Sequence, residues 1–354
     1  MSTTTEQPAA APETPPESDE RLGSSYRLSR ILRRPEVGAA VGALTIFLFF
    51  TATAEVFAKP AGASTWIFVA SSFGIMAVAV AMLMIGGEFD LSAGAMIGTT
   101  GLTTGILMTE YNWNVWAAIA ASFVLAAVIG AVNGILVMRT GLPSFIVTLG
   151  TFFVLQGVNL AETKALIGKV SLTIRAEDGY EAGHKVFGSS VSLGDLTLYA
   201  ATFWWVGVTV LATWVLLRTR PGNWIFAVGG AQTSARQVGV PVFRTKVGLF
   251  MGTALAGWMV GMLYLFKTSS VQSITGVGQE FVFIICAVVG GCLLTGGYGS
   301  AVGAALGALI YGMVKQGIVY EGWDSDWLYA ILGVMLLGAV LVNNWVKSRA
   351  EAVR

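Results

Sequence analysis

Residues 218–246 read RTRPGNWIFAVGGAQTSARQVGVPVFRTK, a polar stretch punctuated by glycine that lies between two long apolar runs. It contains no acidic residue and five cations, which are Arg218, Arg220, Arg236, Arg244 and Lys246. Basic loops of membrane proteins face the cytoplasm. We therefore predict that residues 218–246 form a cytoplasmic loop and that the apolar chain on either side of it crosses a membrane.

The rest of the chain has the composition of an integral membrane protein. Of its 354 residues 55% are hydrophobic and only 12% are charged, and 44 are glycine, a residue frequent in closely packed membrane helices. About 20 apolar residues cross the hydrocarbon layer as a helix. The sequence therefore predicts an all-α integral membrane protein of about ten transmembrane helices, at 37–58, 66–86, 91–109, 114–138, 144–161, 196–217, 247–266, 280–296, 299–319 and 327–346.

The distribution of Lys and Arg predicts the orientation of these spans. With both termini in the cytoplasm, most of the cations fall in inside segments, as the positive-inside rule requires. Residues 1–34, which are rich in Thr, Pro, Glu and Ala, are expected to be a disordered cytoplasmic tail. Residues 35–347 are expected to form a single transmembrane domain, and residues 348–354 a second cytoplasmic tail.

One long loop, at about 162–195, is predicted to lie on the outer side. It is polar and mixed in charge, and it contains two segments with alternating apolar residues, VSLTIRA at 170–176 and KVFGSSVSL at 185–193. Alternation of this kind is typical of strands. We expect these two segments to form a short hairpin on the membrane surface.

The sequence GGEFDLSAG at 86–94 interrupts an otherwise continuous apolar region. Asp90 could cap the N-terminus of the following helix, where free N–H groups favour an anion. Alternatively, Asp90 and Ser92 could belong to a broken-helix joint beside a transport route, because irregular backbone inside a membrane is tolerated where it lines a cavity. The two interpretations are compatible.

Polar side chains also recur along the fifth candidate span, which opens after Pro143, a helix-start signal. Three hydroxyls at steps of four and three residues share one helix face and could bind a polyol or stabilise helix packing. The residues of this span that we assign to a candidate substrate pathway, besides Asp90 and Ser92, are Ser144, Phe145, Thr148, Thr151, Gln156 and Asn159.

The stretch GGCLLTGGYGS at 290–300 joins the eighth and ninth candidate spans. Small residues at four-residue spacing let helices approach closely, so we assign a helix-packing role to Gly290, Gly291, Gly296, Gly297, Gly299 and Gly303. The chain has no Gly-x-x-x-x-Gly-Lys-Ser/Thr phosphate loop and so shows no nucleotide site of its own. We expect it to bind no cofactor and no metal.

Inside the basic stretch, the sequence predicts a short helix. Residues 231–238 can form about two turns, preceded by a chain break at a glycine pair and followed by glycine and Pro241 as stop signals. Ala231, Ala235 and Val238 would form its apolar face. Of the five cations only Arg236 would lie on the helix, while the other four would flank the adjoining spans and anchor the topology. The helix and its ends comprise Gly229, Gly230, Ala231, Ser234, Ala235, Arg236, Val238 and Gly239. Such a helix could lie on the membrane without a partner.

Four motifs in order, GGEFDLSAG, LPSFIVTLGTFFVLQG, NWIFAVGGAQTSARQVGVPVFRTK and VVGGCLLTGGYGSAVGAALGALIYG, resemble the membrane subunit of bacterial ABC importers for ribose, xylose and related monosaccharides. The resemblance covers most of residues 66–346. It departs from the family pattern at Glu88, Asn223 and Gln232, which bears on the identity of the sugar rather than on the class.

The resemblance implies a permease in the bacterial inner membrane with four kinds of partner. These are the lipid bilayer, a second permease copy, a cytoplasmic ABC ATPase with two nucleotide domains that hydrolyses ATP, and an extracytoplasmic sugar-binding protein. The segment 231–240 matches the helix that docks on the ATPase in such importers. No nucleic-acid partner and no enzymatic activity are expected.

Two alternatives remain at this point. An ABC permease for branched-chain amino acids or nucleosides would differ in its cargo, and an amino acid would bring charges that need partners. A stand-alone secondary transporter would usually keep ionisable groups within its spans, and the acids and Lys315 of this chain fall near the ends of the predicted spans.

Overall fold

The computed structural model describes the backbone of residues 35–175 and 179–351 and the side chains of 36–175 and 179–342. The predicted tail at 1–34 and the last residues, 352–354, lie outside this part of the chain. The described residues form thirteen α-helices, a π-helical turn at His184–Gly188 and four short strands. The helices are α1 (Pro35–Thr53), α2 (Pro60–Ile85), α3 (Ala93–Thr109), α4 (Val115–Thr140), α5 (Ser144–Ile167), α6 (Tyr180–Gly183), α7 (Ala200–Arg218), α8 (Arg220–Gly230), α9 (Gln232–Gln237), α10 (Val242–Thr268), α11 (Glu280–Val289), α12 (Ala301–Tyr320) and α13 (Trp327–Glu351).

Each of the ten predicted apolar runs coincides with one of these helices, although the bounds shift by several residues. Seven helices of the described chain are long and apolar enough to cross a membrane, namely α1, α2, α4, α5, α7, α10 and α12. The described apolar parts of α11 and α13 are shorter, and α3 has 17 residues. The protein is therefore a mostly helical membrane protein with seven candidate spans. Helix α13 continues into residues 348–351, which the sequence placed in a tail.

Helix α2 lies at the centre of the bundle, with contacts to α7, α10, α11 and α12. In its most apolar window 72% of the residues are buried, against 22% in α5 and in α7. Helix α10 packs on α3 and α4, and α12 packs on α1 and α11. The outer helices thus expose wide apolar faces, which suits contact with lipid or with another membrane protein.

Glycines allow the closest helix contacts. A Cβ on Gly290 at the end of α11 would overlap the backbone of Gly303 in α12, and a Cβ on Gly303 would overlap the backbone of Gly290. Ser300 starts α12 as its N-cap, where its Oγ accepts a 2.8 Å hydrogen bond from the N–H of Gly303. These contacts place α11 and α12 backbone against backbone.

The predicted hairpin between 170–176 and 185–193 is wrong in its pairing. Strand β1 (Ser171–Thr173) pairs antiparallel with β4 (Ser270–Gln272), whereas β2 (Ser190–Leu193) pairs with β3 (Leu196–Tyr199). The reason is that Ser269, the C-cap residue that follows α10, has a positive φ of 56°, which turns the following residues alongside β1. The π-helical turn meanwhile packs its Phe187 ring against α7 and α10.

Candidate functional site

A buried non-helical joint, residues 86–92, separates α2 from α3. Two of its peptide N–H groups donate to hydroxyls on α5: the N–H of Phe89 to Ser144 Oγ at 3.1 Å, and the N–H of Leu91 to Thr148 Oγ1 at 3.0 Å. A buried peptide N–H without a hydrogen-bond partner is costly. The hydroxyl face of α5 therefore serves to hold the joint.

Asp90 and Ser92 continue this polar network inside the bundle. Asp90 is 2% exposed, and its Oδ1 accepts hydrogen bonds from the N–H and the hydroxyl of Ser92 at 2.8 and 2.6 Å. The expectation that Asp90 caps α3 needs correction, because Ser92 occupies the N-cap position. Asp90 instead closes a two-residue turn just before the helix.

Asn133 on α4 is a further member of the network, and it was not predicted from the sequence. Its Nδ2 donates to Ser92 Oγ at 3.0 Å, and its Oδ1 accepts from Thr151 Oγ1 at 2.6 Å. Asn133 is 1% exposed. It therefore ties three helices together through one amide group. The signal that could have revealed it is an amide side chain in the interior of the largely apolar run 114–138.

The remaining predicted pathway residues on α5 do not join this network. The side chain of Phe145 is 51% exposed on the outer face of the bundle, and Gln156 is half-buried. Asn159 is 2% exposed and lies near Gly98 of α3, and its Nδ2 has no hydrogen-bond partner among the described residues. A buried amide without a partner is costly, so Asn159 is the predicted pathway residue whose side-chain N–H groups the described chain leaves unused.

The basic stretch meets the joint through an ion pair. Lys246 Nζ contacts Glu88 Oε1 and donates to Gln232 Oε1 at 2.6 Å. Lys246 is 5% and Glu88 is 8% exposed. The assignment of Lys246 to a span-flanking topological anchor is therefore wrong, because α10 begins at Val242 and its second turn buries the ammonium against the joint. A buried ammonium requires such a partner, since an unpaired one costs several kcal/mol.

The glycine pairs of three motifs meet beside this ion pair. The N–H of Gly297 donates to the carbonyl oxygen of Ile85 at 2.8 Å, and a Cβ on Gly229 would overlap that same carbonyl. A Cβ on Gly296 would lie 2.9 Å from the Cα of Gly87. We call the contact of 85–87, 229–230 and 296–297 the glycine junction. Gly291 and Gly299 also have positive φ values, of 91° and 151°.

The structure corrects the beginning of the predicted short helix. Gly229 and Gly230 do not break the chain but form the last two residues of α8, a helix that was not predicted. The break falls at Ala231, with φ −156° and ψ 86°, and α9 then covers Gln232–Gln237. Gly239 follows with a φ of 85°, as suits a residue after a helix end.

The apolar face predicted for this helix is also wrong in part. Ala235 is buried between Val228 and Val242, but Ala231 is exposed and Val238 is 79% exposed. The short length of α9 places only one of these side chains against α8 and α10. Ser234 and Arg236 are exposed as well. The outer surface of α9 is thus available to a partner.

A bundle of apolar helices around a buried polar break in one helix has the architecture of a membrane transport protein. The comparison with known families identifies the particular family. The profile described as branched-chain amino acid transport system / permease component matches residues 62–340. The chain belongs to this family of transport permeases and is a multi-pass protein of the bacterial cell membrane.

Relatives named for sugar import align over most of the chain. The ribose import permease protein RbsC of Escherichia coli (strain K12) is 32% identical over 272 residues, which cover 76% of this chain and 81% of the relative. The fructose import permease protein FrcC of Rhizobium meliloti is 29% identical over 280 residues, 78% of this chain and 76% of the relative. The galactose/methyl galactoside import permease protein MglC of Haemophilus influenzae is 29% identical over 288 residues, 76% of this chain and 82% of the relative.

Proposed function

We propose that this chain is the transmembrane permease subunit of an ABC importer for a monosaccharide. The observation that carries the proposal is the alignment, over about three quarters of the chain, with permeases named for ribose, fructose and galactose import. The amide nitrogen of Asn159, which has no hydrogen-bond partner among the described residues, agrees with it, because amide groups are suited to neutral, hydroxyl-rich ligands.

The proposal includes the topology and the partners. The ten helices that match the apolar runs cross or enter the membrane, with both termini in the cytoplasm, and α9 docks on a cytoplasmic ATPase with two nucleotide domains. That ATPase hydrolyses ATP, while this chain binds no nucleotide and catalyses no covalent chemistry. The exposed outer surface of α9, which includes Arg236 and Val238, supports the docking role.

A second copy of the permease and an extracytoplasmic sugar-binding protein complete the proposed importer. The exposed apolar face of α5 includes Gly150 and Gly157, and a Cβ at either position would meet no atom of the described chain within 4 Å. Small residues on an open helix face permit close helix contact in a membrane. We place the cargo path beside α5, with Asn159 as the candidate contact and Ser144, Thr148 and Thr151 as residues that hold the joint.

The alternative cargo, a branched-chain amino acid, appears in the description of the family profile. Its carboxylate and ammonium would need charged or helix-end partners. The buried charges near the joint already have protein partners, since Glu88 pairs with Lys246, and Asp90 accepts two hydrogen bonds from Ser92. This arrangement favours a neutral cargo.

Uptake into proteoliposomes tests the proposal. The permease is reconstituted with its cognate ATPase and binding protein, and labelled ribose, fructose, galactose and leucine are supplied in turn with and without internal ATP. We expect ATP-dependent uptake of a monosaccharide and no uptake of leucine. Accumulation by the permease alone on an ion gradient would instead establish a secondary transporter.

A further inference from the structure

Lys246 contacts both the joint, which lies beside the proposed cargo path, and α9, the proposed docking helix. Its ammonium contacts the carboxylate of Glu88 in the joint and Oε1 of Gln232, the first residue of α9. Glu88 and Lys246 are 158 residues apart in sequence, and both are nearly fully buried. Gln232 is half-buried, at the edge of this cluster.

We infer that Glu88, Lys246 and Gln232 are positioning residues that transmit the movement of α9 to the joint between α2 and α3. The inference rests on the proposed function, because it names the path by which docking at α9 reaches the transport route. Through Lys246, the first residue of α9 is linked by polar contacts to Glu88 in the joint.

The physical reason lies in the cost of separating buried charges. A buried ammonium that loses its carboxylate is strongly disfavoured. A displacement of α9 that moves Lys246 through its hydrogen bond with Gln232 therefore moves Glu88 as well. The next residue, Phe89, is held to Ser144 through its N–H. The movement can thus reach α5, beside the proposed cargo path.

A purely structural role for the ion pair predicts a different result. If the pair only stabilises the fold, then replacing both charges with neutral side chains of similar size leaves function intact, because such replacements are often neutral or stabilising. If the pair transmits movement, the same replacement preserves stability and reduces transport. Stability and coupling must therefore be measured on the same variants.

The variants are Gln232→Met, which removes the link to α9 and leaves both charges paired, and the double variant Glu88→Gln with Lys246→Met. The matched control is Arg244→Met, which removes an exposed cation two residues earlier on α10. Each is reconstituted with the cognate ATPase and binding protein, and with whichever of ribose, fructose and galactose the unaltered protein imports. Melting temperature and uptake per ATP hydrolysed are recorded.

We expect both test variants to melt within a few degrees of the unaltered protein and to import roughly 5- to 150-fold less sugar per ATP, the usual range of coupling between distant sites. The control variant, Arg244→Met, should import as much sugar per ATP as the unaltered protein. Hydrogen exchange of residues 86–92 gives a readout that does not depend on cargo: ATP should change it in the unaltered protein and not in the variants.

If both variants import as much sugar per ATP hydrolysed as the unaltered protein, the inference is overturned and the proposed function stands. If the unaltered protein imports none of the three sugars with ATP, both fall together. If the double variant does not reach the membrane, Gln232→Met alone decides, because it leaves no buried charge without a partner.

Discussion

Replacing Gly229 with alanine tests the glycine junction directly. A Cβ at this position would lie 2.8 Å from the backbone nitrogen of Gly297 and from the carbonyl carbon of Ile85, and closer still to the carbonyl oxygen of Ile85. Carbon atoms need about 3.5–4.0 Å. The backbone segments must therefore separate by more than about 1 Å, and backbone cannot rotate away as a side chain can.

The adjacent residue supplies the matched control. A Cβ on Gly230 would have the Cα of Gly297 as its nearest neighbour, at 4.0 Å, and Gly230 is exposed. Because alanine restricts the unfolded chain, Gly230→Ala should be neutral or should stabilise the protein by about 0.4–1 kcal/mol. Gly229→Ala carries the same gain and an overpacking cost of about 1–3 kcal/mol, at the upper end here because the obstacles are backbone atoms.

We therefore expect Gly229→Ala to lose about 2 kcal/mol of stability in net terms, and to melt roughly 4 °C or more below Gly230→Ala. Thermal unfolding of the two variants, purified in the same detergent and followed by size-exclusion chromatography, measures the difference. Equal melting temperatures would refute the close backbone contact at the junction.

Three further substitutions test the site. Arg236→Glu should reduce ATPase binding and sugar uptake by roughly tenfold or more, because a reversed charge on the docking surface repels its partner; a pull-down and uptake assay measure both, and unchanged values would exclude docking through α9. Asn133→Leu should destabilise the protein by about 2–4 kcal/mol, because it leaves the hydroxyls of Ser92 and Thr151 without this partner; an unchanged melting temperature would contradict the network. Asn159→Leu should keep or raise stability, because it removes an amide nitrogen with no partner in the described chain, and should lower uptake; normal uptake would remove Asn159 from the cargo path.

The positions of the helices could be predicted from the sequence because hydropathy is a local property. All ten apolar runs coincide with helices, and Pro143 marks the start of α5 as expected. Helix α8 could not be predicted in the same way. Its residues include Pro221 and three glycines, residue types that predict a loop from the local sequence. Contacts with α7, α10 and α9 stabilise the helix in the folded protein.

The candidate site was only partly predictable, since its residue types are visible in the sequence but their partners are not. The hydroxyl spacing on α5 indicated a shared face, but not that the face binds the joint. Nothing in the local sequence of Lys246 distinguishes it from Arg244, yet one is buried in an ion pair and the other is exposed. The strand pair β1–β4 likewise joins segments about a hundred residues apart.

The ion pair has a consequence for biogenesis. Glu88 is synthesised 158 residues before Lys246, and at the usual 5–20 residues per second this interval lasts about 8–30 s. Over this time the joint has a carboxylate whose cationic partner does not yet exist, so burial of Glu88 away from water is unfavourable until α10 emerges from the ribosome. The joint should therefore remain at the water interface during early insertion and enter the bundle late, after α10 has been added. The separation of these two charges along the chain therefore determines when the joint can be buried during assembly.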